Sequence, residues 1–283
     1  MNKKLNAILK QIGLQLFLLS ITAVVLFPVL WMVSIAIDPR NIDKPLELTL
    51  IPPGASFESF RTVLFEPNLV LCANPAEPSS CMTFIKLLGN SLFVSLGTAL
   101  FSVVLGASAA YAFSRFKFIG RQAGMLAFIA LLMLPGTATV APLYVLLSQI
   151  KIGGEALRST LVGLAVAYTS GSLPFAIWNL IDGASVTQAF FRVILPLSVP
   201  ALAVTVLLGF MTGWTEFVLA WLFLEDPSRF TLAMALRSMQ GQFTTPWSNF
   251  FALALVMSIP PVLLFFALQR YIVSGLTVGG VKG

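Results

Sequence analysis

Six long apolar runs, separated by short polar stretches, organise the chain. Residues 14–37, 90–113, 124–148, 159–180 and 250–268 carry no charge, and residues 201–224 carry one ionisable side chain, Glu216. At about 1.5 Å per residue each run reaches roughly 30 Å or more, the thickness of the hydrocarbon layer of a bilayer. Backbone amides in lipid must find their partners within the segment, so each run predicts a helix. The expected fold class is all-α: a polytopic membrane protein of six transmembrane helices forming a single domain over residues 1–283.

Lys3, Lys4 and Lys10 precede the first run, and no small-residue cleavage site follows it, which predicts an uncleaved anchor with a cytoplasmic amino terminus. Six crossings then return the carboxyl terminus to the cytoplasm. The inner segments hold nine basic residues, Lys3, Lys4, Lys10, Arg115, Lys117, Arg121, Arg192, Arg270 and Lys282, while the longer outer segments hold the other eight. That bias favours this orientation modestly. Nine of the eleven acidic residues fall outside, in agreement with it.

Composition removes several functions. Hydrophobic residues make up 58% of the chain and charged residues 10%, too few charges for a water-facing surface. The net charge of +6 is scattered at the ends of apolar runs and forms no basic stripe with interleaved aromatics, so nucleic acid is not an expected partner. Without histidine and with two cysteines, the chain has no expected metal site and no acid–base constellation of an enzyme. It also lacks a Gly-x-x-x-x-Gly-Lys-Ser/Thr loop for cradling phosphates, so it binds no nucleotide cofactor of its own.

Local features refine the picture. The outer loop 38–89 contains Cys72 and Cys81, eight residues apart, a candidate disulfide in an oxidising exterior or two free thiols. Ser102, Gly106 and Ala110 lie four apart on one stripe, as expected where another helix approaches closely. Pro135, Pro142, Pro174, Pro260 and Pro261 predict kinks, in a gated pathway or in a static bundle. Residues 231–239 set Leu232, Leu236 and Met239 on one face, predicting a short helix lying on the outer surface. The inner segment 181–199 is amphipathic: Ser185 and Gln188 form a capping box, and Val186, Phe190, Val193 and Leu197 share a face. Periodicity alone reads it as an interfacial helix.

Several stretches carry a family resemblance. IDGAS at 181–185 followed by LPLSVPAL at 195–202 resembles the second half of the EAA loop, the signature of permease subunits in binding-protein-dependent ATP-binding-cassette importers. FALQRYIVSGLTVGGVKG at 266–283, GWTEFVLAWLFL at 213–224, DPSRFTLAMAL at 226–236 and AYAFSRFKFIG at 110–120 are similar to the smaller permease subunit of maltose and related sugar importers. The matches run in order from the second apolar run to the end of the chain.

The resemblance implies a type I importer permease fold, forming half of a translocation pathway for a carbohydrate, with maltose or maltodextrin the best single guess. It implies a bacterial or archaeal cell membrane, a second homologous permease, a dimeric cytoplasmic ATPase that binds ATP and magnesium, and an extracytoplasmic solute-binding protein. Asp182, Gly183, Ala184 and Ser185 would meet the ATPase. One departure stands out: Trp178, Asn179 and Leu180 run directly into Ile181 and Asp182, where the family has a further helix containing Glu-Ala-Ala. The coupling segment 181–199 is therefore shortened by roughly a helix and a half. With every other motif intact, residues left out of the sequence are favoured over an impaired permease.

Glu216 is a candidate pathway residue, since an intramembrane acid usually faces a cavity, or else it sits near the outer boundary and bonds a neighbouring helix. Trp214 could stack on a sugar or belong to an interfacial aromatic belt. The competing function is a secondary, ion-coupled transporter, disfavoured because only one buried ionisable group is evident.

Overall fold

The structure is a computed structural model that describes residues 2–40, 49–66, 68–72, 81–180, 198–241 and 245–279. Its helices are α1 Asn2–Ala36, α2 Glu58–Phe65, α3 Phe84–Arg115, α4 Arg121–Met133, α5 Val140–Gln149, α6 Leu161–Leu180, α7 Val199–Thr215, α8 Val218–Phe223, α9 Leu232–Ser238 and α10 Trp247–Gly279. Two short antiparallel ladders join β1, Asn68–Cys72, to β2, Cys81–Met82, and β3, Lys151–Ile152, to β4, Glu155–Ala156. The chain divides into two compact units, Met1–Glu66 with Met239–Met257, and Pro67–Ser238 with Ser258–Gly283.

Four helical segments are long and apolar enough to cross a membrane: Leu9–Ala36, Phe84–Arg115, Leu161–Leu180 and Trp247–Ile272. They coincide with the first, second, fourth and sixth apolar runs. The third run breaks. Leu134 is extended, Pro135 follows it, and the path turns by 109° before continuing through the 3-10 turn Gly136–Thr139 into α5. A residue before proline is pushed out of the helical region, and proline supplies no N–H to carry the ladder on. The fifth run ends α7 after 17 residues and resumes as α8, with Glu216 extended between them. At about 1.5 Å per residue, α7 alone is about 26 Å long. Among the described residues four spans are therefore uninterrupted, five counting the bent pair, where the sequence pattern suggested six.

The second unit is built around α3, which packs along both α6 and α7. The Ser102, Gly106 and Ala110 stripe is buried, as its spacing suggested, and a Cβ on Gly106 would stand 2.9 Å from the Cβ of Ala176. A second small-residue pair does the same for α7: a Cβ on Gly209 would meet the Ala99 Cα at 3.0 Å, and one on Gly213 the Ser95 Cα at 2.8 Å. The close approach leaves no room for water, so the polar residues between must bond within their own helix. Ser95 donates to the Ser91 carbonyl at 2.6 Å and Thr98 to that of Val94 at 2.8 Å. Gly213→Ala should cost about 1–3 kcal/mol, because the opposing atom is backbone and cannot swing aside. A lowered thermal midpoint in detergent would register the cost, and an unchanged one would contradict it.

At one end of this unit, polar side chains hold the connections. Asn90 Nδ2 donates to the carbonyls of Ser228 and Phe230, both at 2.9 Å, and the Leu232 N–H donates to Ser91 Oγ at 2.8 Å. These bonds pull α9 onto α3. Leu232, Ala233, Met234 and Ala235 are buried, so the short helix exists but is packed into the unit and does not lie on a surface by a Leu232–Leu236–Met239 face. Arg158 pairs with Glu225 at 2.7 Å and Arg229 with Glu155 at 2.8 Å, tying the β3–β4 hairpin and the turn after it to the α8–α9 connection. Hydrogen bonds from Ser228, with Arg229 beside it, hold the Asp226 carboxyl below the usual carboxylate range.

In the first unit α1 carries exposed Phe17, Leu19 and Val24, a surface that suits lipid. Its end is polar and anchored: Ser34 donates to the Thr49 carbonyl, and Arg40 forks the Asp38 carboxylate with bonds of 2.8 to 3.2 Å. That guanidinium lowers the Asp38 pKa against the opposing effect of burial.

Candidate functional site

The two interruptions of the apolar runs frame one hollow. A cavity of about 430 Å³ is lined by Gly136, Thr137 and Thr139 from the broken third run, Tyr168 and Ser172 from α6, and Thr212 and Glu216 from the end of α7. A second, of about 370 Å³, continues along α6 and α7 past Ser102, Thr205 and Thr215. Gly171, Ser172 and Thr212 border both, so the two form one track. Each lies within the size range of small-molecule sites.

Glu216 owes its position to backbone chemistry. A carboxylate in an apolar run needs donors, and the chain supplies them by starting a new helix there. Glu216 Oε1 accepts from the Val218 N–H at 2.7 Å, and Oε2 from the Leu219 N–H at 3.1 Å, which caps α8. The Tyr168 hydroxyl donates to the Glu216 backbone carbonyl at 3.2 Å, left free because the α7 ladder ends there. Glu216 thus bonds the backbone of the residues that follow it and also lines the cavity.

Trp214 lines neither cavity. It is 2% exposed and stacks on Phe210, with ring centroids 5.3 Å apart and planes 16° from parallel. The indole is buried against Phe210, one turn earlier in the same helix. Asp182, Gly183, Ala184 and Ser185, with the rest of the coupling segment up to residue 197, lie outside the described residues. At its two edges, Asn179 Nδ2 donates to the Ala201 carbonyl at 3.0 Å and to Thr205 Oγ1 at 3.2 Å, linking α6 to α7. Between α2 and α3, the β1–β2 register sets Cys72 directly across from Cys81.

Sequence reasoning passed over Tyr168, Ser172 and Thr212. The signal was present as Thr169, Ser170, Gly171 and Ser172, a polar cluster inside an otherwise apolar run.

Residues 179–278 match the model of the binding-protein-dependent transport system inner membrane component. The chain is 31% identical to the maltose/maltodextrin transport system permease protein of Yersinia pestis, over 97% of this chain and 94% of that one. It belongs to the binding-protein-dependent transport system inner membrane components. Other relatives of this permease component include the trehalose transport system permease protein of Mycobacterium tuberculosis, 33% identical over 91% of this chain and 93% of that one, and the diacetylchitobiose uptake system permease protein of Streptomyces coelicolor, 31% identical over 93% and 96%. All three are permease proteins. The fold is that of an ATP-binding-cassette importer permease. A crystal structure of a bacterial transporter that imports the acidic polysaccharide alginate superposes with a TM-score of 0.68, covering 96% of this component and 98% of that chain at 16% identity.

Proposed function

We propose that this inner membrane component is one permease subunit of an ATP-driven carbohydrate importer, of the maltose/maltodextrin type or one close to it, and that the hollow beside Glu216 is its stretch of the translocation route. The observation that carries the reading is the near-complete match, in both directions, to permeases of saccharide uptake systems. The sugar differs among those relatives, so the class is better supported than the individual substrate.

The partners follow from the mechanism. With no nucleotide loop in its sequence, the permease draws its energy from a dimeric cytoplasmic ATPase charged with ATP and magnesium. A second homologous permease completes the conduit, and an extracytoplasmic binding protein delivers the sugar. In this reading the chain is a single permease domain with both termini cytoplasmic and the outer loop 38–89 outside. Asp182 to Ser185 meet the ATPase. Closure of the ATPase dimer on ATP moves the segment between α6 and α7, and the hydrogen bonds of Asn179 carry that displacement into both helices.

The decisive experiment co-expresses the chain with the second permease, the ATPase and the binding protein, and reconstitutes the purified assembly in vesicles. ATP-dependent uptake of maltose, trehalose or diacetylchitobiose is the expected result. Uptake driven by a proton gradient without ATP would replace this reading with the ion-coupled one.

The Cys72–Cys81 pairing is a further part of the proposal, supported by their opposed register across the ladder. Mass analysis after alkylation without reductant should find neither thiol modified, and after reduction both. Modification of both before reduction would refute the pairing.

A further inference from the structure

The hollow has an unusual balance of hydrogen-bonding groups. Thr212 donates its hydroxyl proton to the Leu208 carbonyl at 2.9 Å, Thr215 to Met211 at 2.9 Å, Thr205 to Ala201 at 2.9 Å and Thr139 to Gly136 at 2.8 Å. Ser172 Oγ lies 2.6 Å from Ser102 Oγ and donates to the Thr169 carbonyl at 3.2 Å, so Ser102 is the donor between them. The Tyr168 proton goes to the Glu216 carbonyl. A hydroxyl whose proton is committed to a carbonyl has only lone pairs left for a ligand. With Thr137 aside, the polar side chains lining the track are therefore acceptors, and in the larger cavity the Glu216 carboxylate joins them, acceptor-only and charged. None of the lining residues carries a cationic side chain.

We infer that this subunit contacts the transported saccharide directly, at Glu216 and Thr212, and that the contact selects neutral or amine-bearing sugars and rejects anionic ones. The inference rests on the carbohydrate-importer reading above. A sugar is a dense array of hydroxyl donors, each able to satisfy a lone pair that the helices leave open. Glu216 keeps spare acceptor capacity after receiving two backbone N–H bonds, because a carboxylate offers about four lone-pair sites. A uronate or a sugar phosphate would bring acceptors to acceptors and a second negative charge to Glu216, with no guanidinium or ammonium on the wall to receive it. The track is suited to a cargo of the opposite charge character from alginate, despite the shared fold.

The test uses the complete transporter in nanodiscs, with Thr137→Cys as a reporter at the rim of the larger cavity. The maleimide labelling rate of that thiol is followed with maltotriose, trehalose, diacetylchitobiose or digalacturonate present. At least one neutral sugar should slow labelling, while digalacturonate leaves it unchanged. Glu216→Gln should raise the protecting sugar concentration about tenfold or more, the expected effect of losing a hydrogen bond to a charged acceptor. Glu216→Lys should let digalacturonate protect. Because Glu216 also caps α8, Thr212→Val provides a second variant, expected to weaken protection with the melting temperature unchanged. Steady labelling with no effect of any neutral sugar, in a complex that still imports sugar with ATP, overturns the inference and leaves the importer reading standing. Protection by digalacturonate in the unaltered subunit overturns the charge selection. A complex with no ATP-dependent uptake fails the importer reading itself.

Discussion

Inserting a family-length segment of about twenty residues between Leu180 and Ile181 is expected to raise ATP-dependent sugar uptake by about tenfold or more, the scale on which one site drives another through a packed element. Trp178, Asn179 and Leu180 close α6, and the sequence runs at once into Ile181 and Asp182, without the Glu-Ala-Ala helix that precedes this point in the EAA loop. The alignment to the Yersinia permease extends over 295 positions, more than the 283 residues of this chain, so it opens gaps in the chain. A push from the ATPase needs a rigid body to push on, and a helix is the stiffest element available at that place. The receiving end is intact: Asn179 bonds Ala201 and Thr205, so a displaced segment would drag α6 and α7 together. Uptake is compared in vesicles containing the same partners, with ATPase activity recorded alongside. Equal uptake with and without the insertion would mean that coupling does not run through this loop.

Much of the architecture was legible because lipid makes the code simple. Uncharged runs of twenty residues become helices since their amides have no other partners, and α1, α3, α6 and α10 follow that rule. The stripe of Ser102, Gly106 and Ala110 was readable for the same reason, as close helix approach demands small side chains wherever it occurs. The rule failed where a local event outweighed the average hydropathy. Pro135 turns the third run by 109°, far beyond a kink, because Leu134 must leave the helical region and Pro135 brings no N–H to carry the ladder on, so the chain restarts as a 3-10 turn at Gly136. Glu216 ends the fifth run because its carboxylate is better served by the N–H groups of a new helix than by lipid. Those two interruptions build the hollow. The sequence therefore singled out Glu216 while concealing why the chain breaks there, and it gave equal standing to Trp214, which is buried against Phe210 and lines neither cavity.

Gly163→Ala is expected to destabilise the second unit by about 2–3 kcal/mol, near the upper end of the usual overpacking range. Gly163 stands in the first turn of α6, where Thr160 organises the start of the helix. Thr160 Oγ1 accepts from the Gly163 N–H at 3.0 Å and donates to the Leu157 carbonyl at 2.8 Å, and the Leu164 N–H reaches the Thr160 carbonyl at 3.0 Å. That geometry lays the Leu157 carbonyl directly over Gly163. An added Cβ would collide with the Leu157 oxygen and come within 2.6 Å of its carbonyl carbon, both backbone atoms held by the same bonds. Relief requires the turn 157–159 to lift away, and with it go Arg158, which pairs with Glu225, and the Ser159 carbonyl that accepts from Arg229 at 2.7 Å. Gly171→Ala, eight residues along the same helix, is the matched control: no atom lies within 4 Å of the new Cβ, and alanine favours a helix over glycine by up to about 1 kcal/mol. A thermal midpoint lowered by the first substitution and not by the second would locate the cost in the Leu157 contact. Equal losses from both would attribute it to glycine replacement in α6 generally, and the account of this turn would fail.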